Sequence, residues 1–212
     1  MKFRIAKPID ISVITELHYQ ASKDQPAGFL FQLGRIFLRQ YYQVAFKEKF
    51  NILICAETDD GRIAGFISGS MDPEEHMRAL REHWVRLGFA AAWSVLTTPK
   101  LMKAVWIRFG FLRGKAGTTT FASCEGPRIE FWGWAKDNQD SFMALEMLKT
   151  MLNVMKTFGA EKVYGEADES NVRIIKMNKL MGAEKVADLG IVDGRQRAIY
   201  VHDLTQKRAW RS

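Results

Sequence analysis

Residues 135–185 read AKDNQDSFMALEMLKTMLNVMKTFGAEKVYGEADESNVRIIKMNKLMGAEK. From Asp140 to Phe158 the apolar residues recur at three- and four-residue spacing, the period of a helix with one buried face. Gly159 stands where such a helix would end on a left-handed residue. EKVYGEAD then reads as a strand, and SNVRIIKMNKLM as a shorter helix started by Ser170 or Asn171 and stopped at Gly182. Ahead of the segment, RIEFWGWAKD (residues 128–137) reads as another strand. A strand, a helix and a strand in this order make a right-handed parallel crossover.

Working outward, FRIAKP is a short strand stopped by Pro8, and DISVITELHYQAS is a helix with Asp10 as its N-cap and Ile11, Ile14 and Leu17 on one face. GFLFQLGRIFLRQYYQVAFKEK is a second helix, strongly apolar on one side. NILICAET and RIAGFISGS form a hairpin around Asp59, Asp60 and Gly61. EKVADLGIV and QRAIYVHDL form a closing hairpin around Asp193 and Gly194, and TQKRAWRS is a polar, fraying tail. The fold class is therefore α/β (α+β): a mixed, mostly antiparallel central sheet with helices on both faces. Residues 1–212 form one domain, with a helical insertion at about 71–127 between the third and fourth strands. Within it, PEEHMRALREHWVRLGFAAAWSVL and PKLMKAVWIRFGFL read as two helices joined at Thr97, Thr98 and Pro99, followed by the loop RGKAGTTTFASCEGP.

The chain has 212 residues, 47% apolar and 26% charged, ordinary values for a globular domain. Its net charge of +7 is concentrated. Between His76 and Ala116 stand Arg78, Arg81, Arg86, Lys100, Lys103, Arg108, Arg113 and Lys115, opposed only by Glu82, which points to a local anionic partner. Trp84, Phe89, Trp93, Trp106, Phe109 and Phe111 are interleaved with them. That mixture fits an interfacial element on anionic lipid. It also fits a lid whose cations grip a phosphate, or aromatics in a core with solvated arginines outside. Nucleic-acid recognition motifs are absent from the sequence. Cys55 and Cys124 lack metal-ligand spacing and read as reduced packing residues, with a disulfide between them as the weaker alternative. His18, His76, His83 and His202 show no zinc spacing, and no metal is expected. There is no signal-peptide core and no run of about 18 apolar residues, so a cytoplasmic protein is expected, with peripheral contact to the inner face of a membrane left open.

The segment DNQDSFMA opens the long helix directly after a strand. A helix N-terminus presents unpaired N–H groups and about half a positive charge, enough to bind a phosphate if the backbone can be approached. Glycines would permit that approach, and here Asp140 and Phe142 stand instead. Asp140 reads equally well as the helix N-cap with no phosphate present.

The order of elements, with Gln139, Ala144 and Asn171 in place, resembles the GNAT superfamily of N-acyltransferases, which move an acyl group from coenzyme A to an amine. The resemblance runs over nearly the whole chain and rests on IEFWGWAKDNQDSFMALEMLKTMLNVMKTFG and EKVYGEADESNVRIIKMNKLMGA. It departs from the family pattern at Asp140, at Phe142 on the first motif glycine, at Asn178 in the place of a tyrosine that protonates the leaving thiolate, and at Ala183 in place of a phenylalanine. The resemblance implies that acetyl-CoA, as co-substrate, is held by the splayed strand Phe131, Trp132, Gly133, Trp134 and Ala135. The loop Gln139, Asp140, Ser141, Phe142, Met143 and Ala144, together with Asn171, would hold its phosphates. Glu130 is the candidate base, on the same strand face as Trp132 and Trp134, or else a surface carboxylate facing an arginine. With Asn178 in the tyrosine's place, the thiolate would take its proton from water, or, on strand position alone, from Tyr164 or Tyr200. His18, Arg108 and Arg113 are expected to meet the substrate, a small amine such as an amino sugar or another anionic metabolite, with His18 alternatively a half-buried helical histidine. Trp132 and Trp134 would shorten the acyl pocket toward acetyl. The competing expectation is a catalytically inactive binding module that keeps the fold without the cofactor and engages a partner or an anionic membrane through the insertion. A homodimer is left open.

Overall fold

NILICAE and IAGFISGS are apolar or small at nearly every position, the pattern of strands covered on both faces. In the computed structural model they are β2 (Asn51–Glu57) and β3 (Ile63–Ser70), two inner strands of a seven-stranded sheet. The structure describes residues 1–22, 32–97, 126–138, 140–192 and 195–206. The other strands are β1 (Lys2–Ile5), β4 (Arg128–Trp134), β5 (Lys162–Asp168), β6 (Glu184–Val192) and β7 (Arg195–Asp203). Their order across the sheet is β1-β2-β3-β4-β5-β7-β6. β4 and β5 run parallel, and the other neighbours run antiparallel. The expected mixed, mostly antiparallel sheet is therefore the one observed.

The described helices are α1 (Ile11–Ser22), α2 (Gly34–Ala45), α3 (Pro73–Glu82), α4 (Trp84–Thr97), α5 (Ser141–Thr157) and α6 (Val172–Leu180). On one face of the sheet, α1, α2 and α4 bury Ile14, Phe37, Tyr41, Tyr42 and Leu87 against Leu53, Cys55 and Phe66. On the other, α5 lays Met147, Leu148, Met151, Leu152 and Met155 on Ile52, Ile54 and Ile67. That three-and-four spacing is the stripe read in the sequence. A smaller cluster under α6 joins Ala167, Ala183, Ala198 and Tyr200. Alternation along β2 sends Leu53 and Cys55 to the first face and Ile52, Ile54 and Ala56 to the second, so a single strand feeds both cores. Burial pushes the Cys55 thiol up to about 12, so it is a packing group without thiolate character at neutral pH.

Three local expectations need correction. Asp10 does not cap α1. It lies in a short 3-10 turn, and its carboxylate accepts from the Lys7 backbone N–H and from Arg4. A carboxylate this buried needs a cation, and Arg4, also paired with Glu57, supplies it. The single helix read from residues 73–96 is two helices, α3 and α4, broken at His83. There the His83 Nδ1 lies 3.0 Å from the Ala79 carbonyl, a side-chain partner that competes with the helical ladder. The third concerns the strand face on which Glu130 lies, described below. The second expected insertion helix, the RGKAGTTT loop, Cys124 and the Asp193-Gly194 turn lie outside the described residues.

Two glycines mark close approach. A Cβ on Gly69 would stand 2.4 Å from Met155 Cε and 2.7 Å from the Arg128 carbonyl oxygen. One on Gly165 would meet nothing within 4 Å. In urea melts, Gly69→Ala is expected to lose about 1–3 kcal/mol. Gly165→Ala should stay within about 0.5 kcal/mol of the parent.

Candidate active site

The parallel pairing of β4 with β5 is short. Arg128 partners Tyr164 and Ile129 partners Gly165, and no further register pair joins the two strands. Beyond that point β4 stays with β3 through Trp134, and the Ala135 N–H donates to the Ala64 carbonyl at 2.7 Å. β5 stays with β7 as far as Asp168. The two strands therefore open into a V. Had the register continued by one residue, Glu130 would stand directly opposite Glu166, and like charges at paired positions are destabilising.

Instead, each carboxylate has its own guanidinium. Arg128 Nε donates to Glu130 Oε1 at 2.5 Å, with both side chains under 10% exposed. Arg197 on β7 reaches Glu166 at 3.3 Å. The β3–β4 register also slips here, from Ser68 opposite Phe131 to Gly69 opposite Ile129, leaving Glu130 as the extra residue of a bulge. The slip reverses the face on which Glu130 was expected. Ile129, Trp132 and Trp134 pack toward α5, whereas Phe131 packs toward α1 and α2. Glu130 acts electrostatically on Tyr41 and Tyr42 of α2, so it shares the face of Phe131 rather than that of the two tryptophans. Glu130 and Glu166 thus meet at the crotch of the V. Burial raises the Glu166 carboxyl above its ordinary range, with Arg197 and Arg128 opposing the shift.

Phe131 is surrounded by histidine–tyrosine pairs. The His18 ring centroid lies 4.6 Å from that of Phe131, and His18 Nδ1 is 2.7 Å from the Tyr42 hydroxyl. Tyr41 meets Phe131 edge-on at 5.6 Å. Its hydroxyl lies 3.1 Å from His76 Nε2, and His76 Nδ1 lies 2.6 Å from Glu48. His18 is a buried ring beneath β4, closer to a packed helical histidine than to a residue lining an acceptor groove.

The mouth of the V is the start of α5. Asp140 is the N-cap, and its carboxylate accepts from the Phe142 and Met143 N–H groups at 2.9 and 3.1 Å. Those two amides belong to the anion cradle read from the sequence, and here the protein's own carboxylate occupies them. Phe142 points to solvent, 67% exposed, while Ala144 is buried beneath the helix. Arg173 of α6 donates to the Ser141 hydroxyl at 3.1 Å and brings a cation to the same end. Asn171 caps α6 by accepting from the Ile174 N–H at 3.2 Å. Asn178 Oδ1 faces His202 Nε2 at 3.1 Å, and a carboxamide N–H, though a hydrogen-bond donor, is too weak an acid to protonate a thiolate. Gln139, Arg108 and Arg113 lie outside the described residues. Among the described residues no cluster of His, Cys, Asp or Glu has the makings of a metal site.

The parts suit an acyl-CoA unevenly. The open edge of β4 can take a pantetheine arm, but two of the amides that a diphosphate would use are taken. Sequence reasoning reached Glu130 and missed Glu166, Arg173, Arg197 and the Tyr41–His76–Glu48 chain. The usable signal for Glu166 was a charged residue in the middle of an otherwise covered strand.

Comparison with solved structures places this architecture. An N-acetyltransferase from Staphylococcus aureus superposes with a TM-score of 0.63 at 15% identity, over 96% of this chain and 98% of that one. A ribosomal-protein-alanine N-acetyltransferase from Brucella melitensis gives 0.62 at 11% identity, over 96% and 100%. A protein from Desulfovibrio desulfuricans assigned to the GNAT family of acetyltransferases gives 0.59 at 12% identity, over 96% and 98%. No family model matches the sequence, and no curated protein matches it.

Burial holds His18 and His202 down at about 4. Unfolded, both would protonate near 6.5, so the unfolded state takes up protons first and stability falls as the pH drops from about 6.5 to 4. Each contributes a slope of up to about 1.4 kcal/mol per pH unit. Glu166 offsets part of this, because its raised carboxyl protonates first in the native state. Urea midpoints at several pH values in that window should show a net loss on acidification, and a flat profile would contradict it. The splayed β4–β5 pair, the bulge at its crotch and the helix that begins at its mouth together give this chain the GNAT fold.

Proposed function

We propose that the chain is an acyl-CoA-dependent N-acyltransferase, with acetyl as the acyl group and a small primary amine as acceptor. The observation that carries this reading is the V between β4 and β5, with two ion-paired carboxylates at its crotch, one of them partly exposed, and the start of a long helix at its mouth. The thioester supplies an activated acyl group. The chain supplies the rest. Glu166, held above the usual carboxylate range, takes a proton from the ammonium. Glu130, ion-paired with Arg128, stands on the same face at the crotch. Along Phe131, Trp132, Gly133 and Trp134, the backbone N–H groups that face away from β3 are the candidate donors for the tetrahedral oxyanion, whereas the Ala135 N–H is already given to the Ala64 carbonyl. An ammonium and a thioester become an amide, a thiol and one released proton. Neutral His18, in contact with Phe131, stiffens the strand from below.

Magnitudes decide whether Asp140 forbids this reading. An N-cap carboxylate is worth about 1 kcal/mol, and its repulsion of a phosphate near the surface is similar. Turning that side chain away therefore weakens coenzyme binding by roughly tenfold to a hundredfold, which several phosphate contacts and Arg173 can offset. Solved neighbours include enzymes described as acting on spermidine and on ribosomal-protein alanine, so the fold itself selects no acceptor. The capped cradle favours a second reading, a binding module that keeps the fold without the cofactor.

Thermal shift with acetyl-CoA separates the two. The enzyme reading expects stabilisation that grows with ligand concentration, and a null response at millimolar ligand would favour the binding module. Asp140→Gly should tighten acetyl-CoA binding about fivefold or more while costing the helix only a few tenths of a kcal/mol. With an acceptor in hand, Glu166→Gln should lower kcat/KM by about 10²–10⁴ and erase an acidic limb lying above the ordinary carboxylate range. Unchanged rates would remove Glu166 from the mechanism.

A further inference from the structure

α4 has two apolar faces. Leu87, Ala90, Ala91 and Ser94 are buried in the core shared with α2, and the Ser94 hydroxyl donates to the Leu33 carbonyl at 2.6 Å. On the other side Val85, Phe89, Trp93 and Leu96 are 49%, 75%, 57% and 76% exposed. At about 100° per residue those four fall within an arc of roughly 80°, nearly opposite the buried set. Trp84, 48% exposed, stands about 100° from Val85 and so outside that arc. α4 contains no acidic residue, and its one charged residue, Arg86, extends to Gln40 and Gln43 of α2. A helix apolar on both sides with one side in the core calls for a second apolar medium on the other.

We infer that this outward stripe of α4 docks the protein on an anionic bilayer surface. Charge selects that occupant. From residue 83 to residue 124 the sequence contains no Asp or Glu, while Arg86, Lys100, Lys103, Arg108, Arg113 and Lys115 all fall within it. Nothing acidic in this stretch of a second copy would complement its cations. Anionic headgroups complement the charge, and the boundary between headgroups and acyl chains accepts indole and phenyl rings. Length sets the geometry. Fourteen residues make about 21 Å of helix against roughly 30 Å of hydrocarbon, so α4 lies on the surface rather than across it. No described helix is long and apolar enough to cross a membrane. This inference stands independently of the acyl-transfer reading, and its test needs no activity.

The test is co-sedimentation of the full chain with phosphatidylcholine vesicles, with and without about a third phosphatidylglycerol, alongside tryptophan emission. Binding to the anionic vesicles only, with a blue shift and release by high salt, is the expected result. Phe89→Asp with Leu96→Asp should weaken binding at least about tenfold at an unchanged melting temperature. Arg86→Gln should weaken it about fivefold. If the double variant fails to melt cooperatively, Phe89→Ser alone takes its place with the same expectation in direction. The inference is overturned by absence of wild-type binding, by equal binding to neutral vesicles, or by binding that survives the Phe89 variants. It is also overturned if sedimentation velocity shows a wild-type dimer, without vesicle binding, that those variants dissociate.

Discussion

The structure turns on the limit to pairing between β4 and β5. Two residues pair, and the third pair would set Glu130 against Glu166. Parallel strands in the middle of a covered sheet ordinarily continue with apolar partners. Here the continuation would bury two carboxylates side by side. The chain instead gives each its own arginine, inserts one extra residue into β4, and lets the strands diverge. The resulting opening is the cleft, and its charge follows from the same two residues that hold it open.

That opening is stable because its two walls are fastened elsewhere. β4 is held along β3, where Gly65 and Gly133 lack the side chains that would collide with the Trp134 and Phe66 rings. β5 is held along β7 over its whole length. Rings pack beneath β4 from α1 and α2, with His18 hydrogen-bonded to Tyr42 and His76 linking Tyr41 to Glu48. Rigid walls allow a gap between them to persist without collapsing. The polar groups behind the wall are hydrogen-bonded to one another, so they brace the cleft rather than open onto it.

The mouth of the cleft carries a conflict between stability and binding. Capping the longest described helix with Asp140 secures two N–H groups and the start of the α5 stripe. The same N–H groups are those a diphosphate would seek. A carboxylate cap suits the free protein and a phosphate suits the complex, while Arg173 at the neighbouring helix start favours the anion in either state.

Much of this was legible in residue order alone. The three-and-four spacing of Met147, Leu148, Met151, Leu152 and Met155 dictates a helix with one buried face, and Gly159 and Gly182 end helices where they stand, both at positive φ. The continuous apolar runs of β2 and β3 require a sheet covered on both sides. Such patterns are periodic and local, so the chain declares them without reference to its neighbours. The bulge at Glu130 is different in kind, because it depends on the register of β4 against β3. Alternation along β4 alone placed Glu130 with the tryptophans, and one extra residue moved it to the opposite face. The meeting of Glu130 with Glu166, the approach of Arg173 to Ser141, and the burial of His18 beneath Phe131 likewise join residues far apart in the chain. By itself the sequence determined which segments are helices and strands and which faces they bury. Tertiary structure alone decided which charges share the cleft, because strand register and helix docking are settled only when distant segments pack.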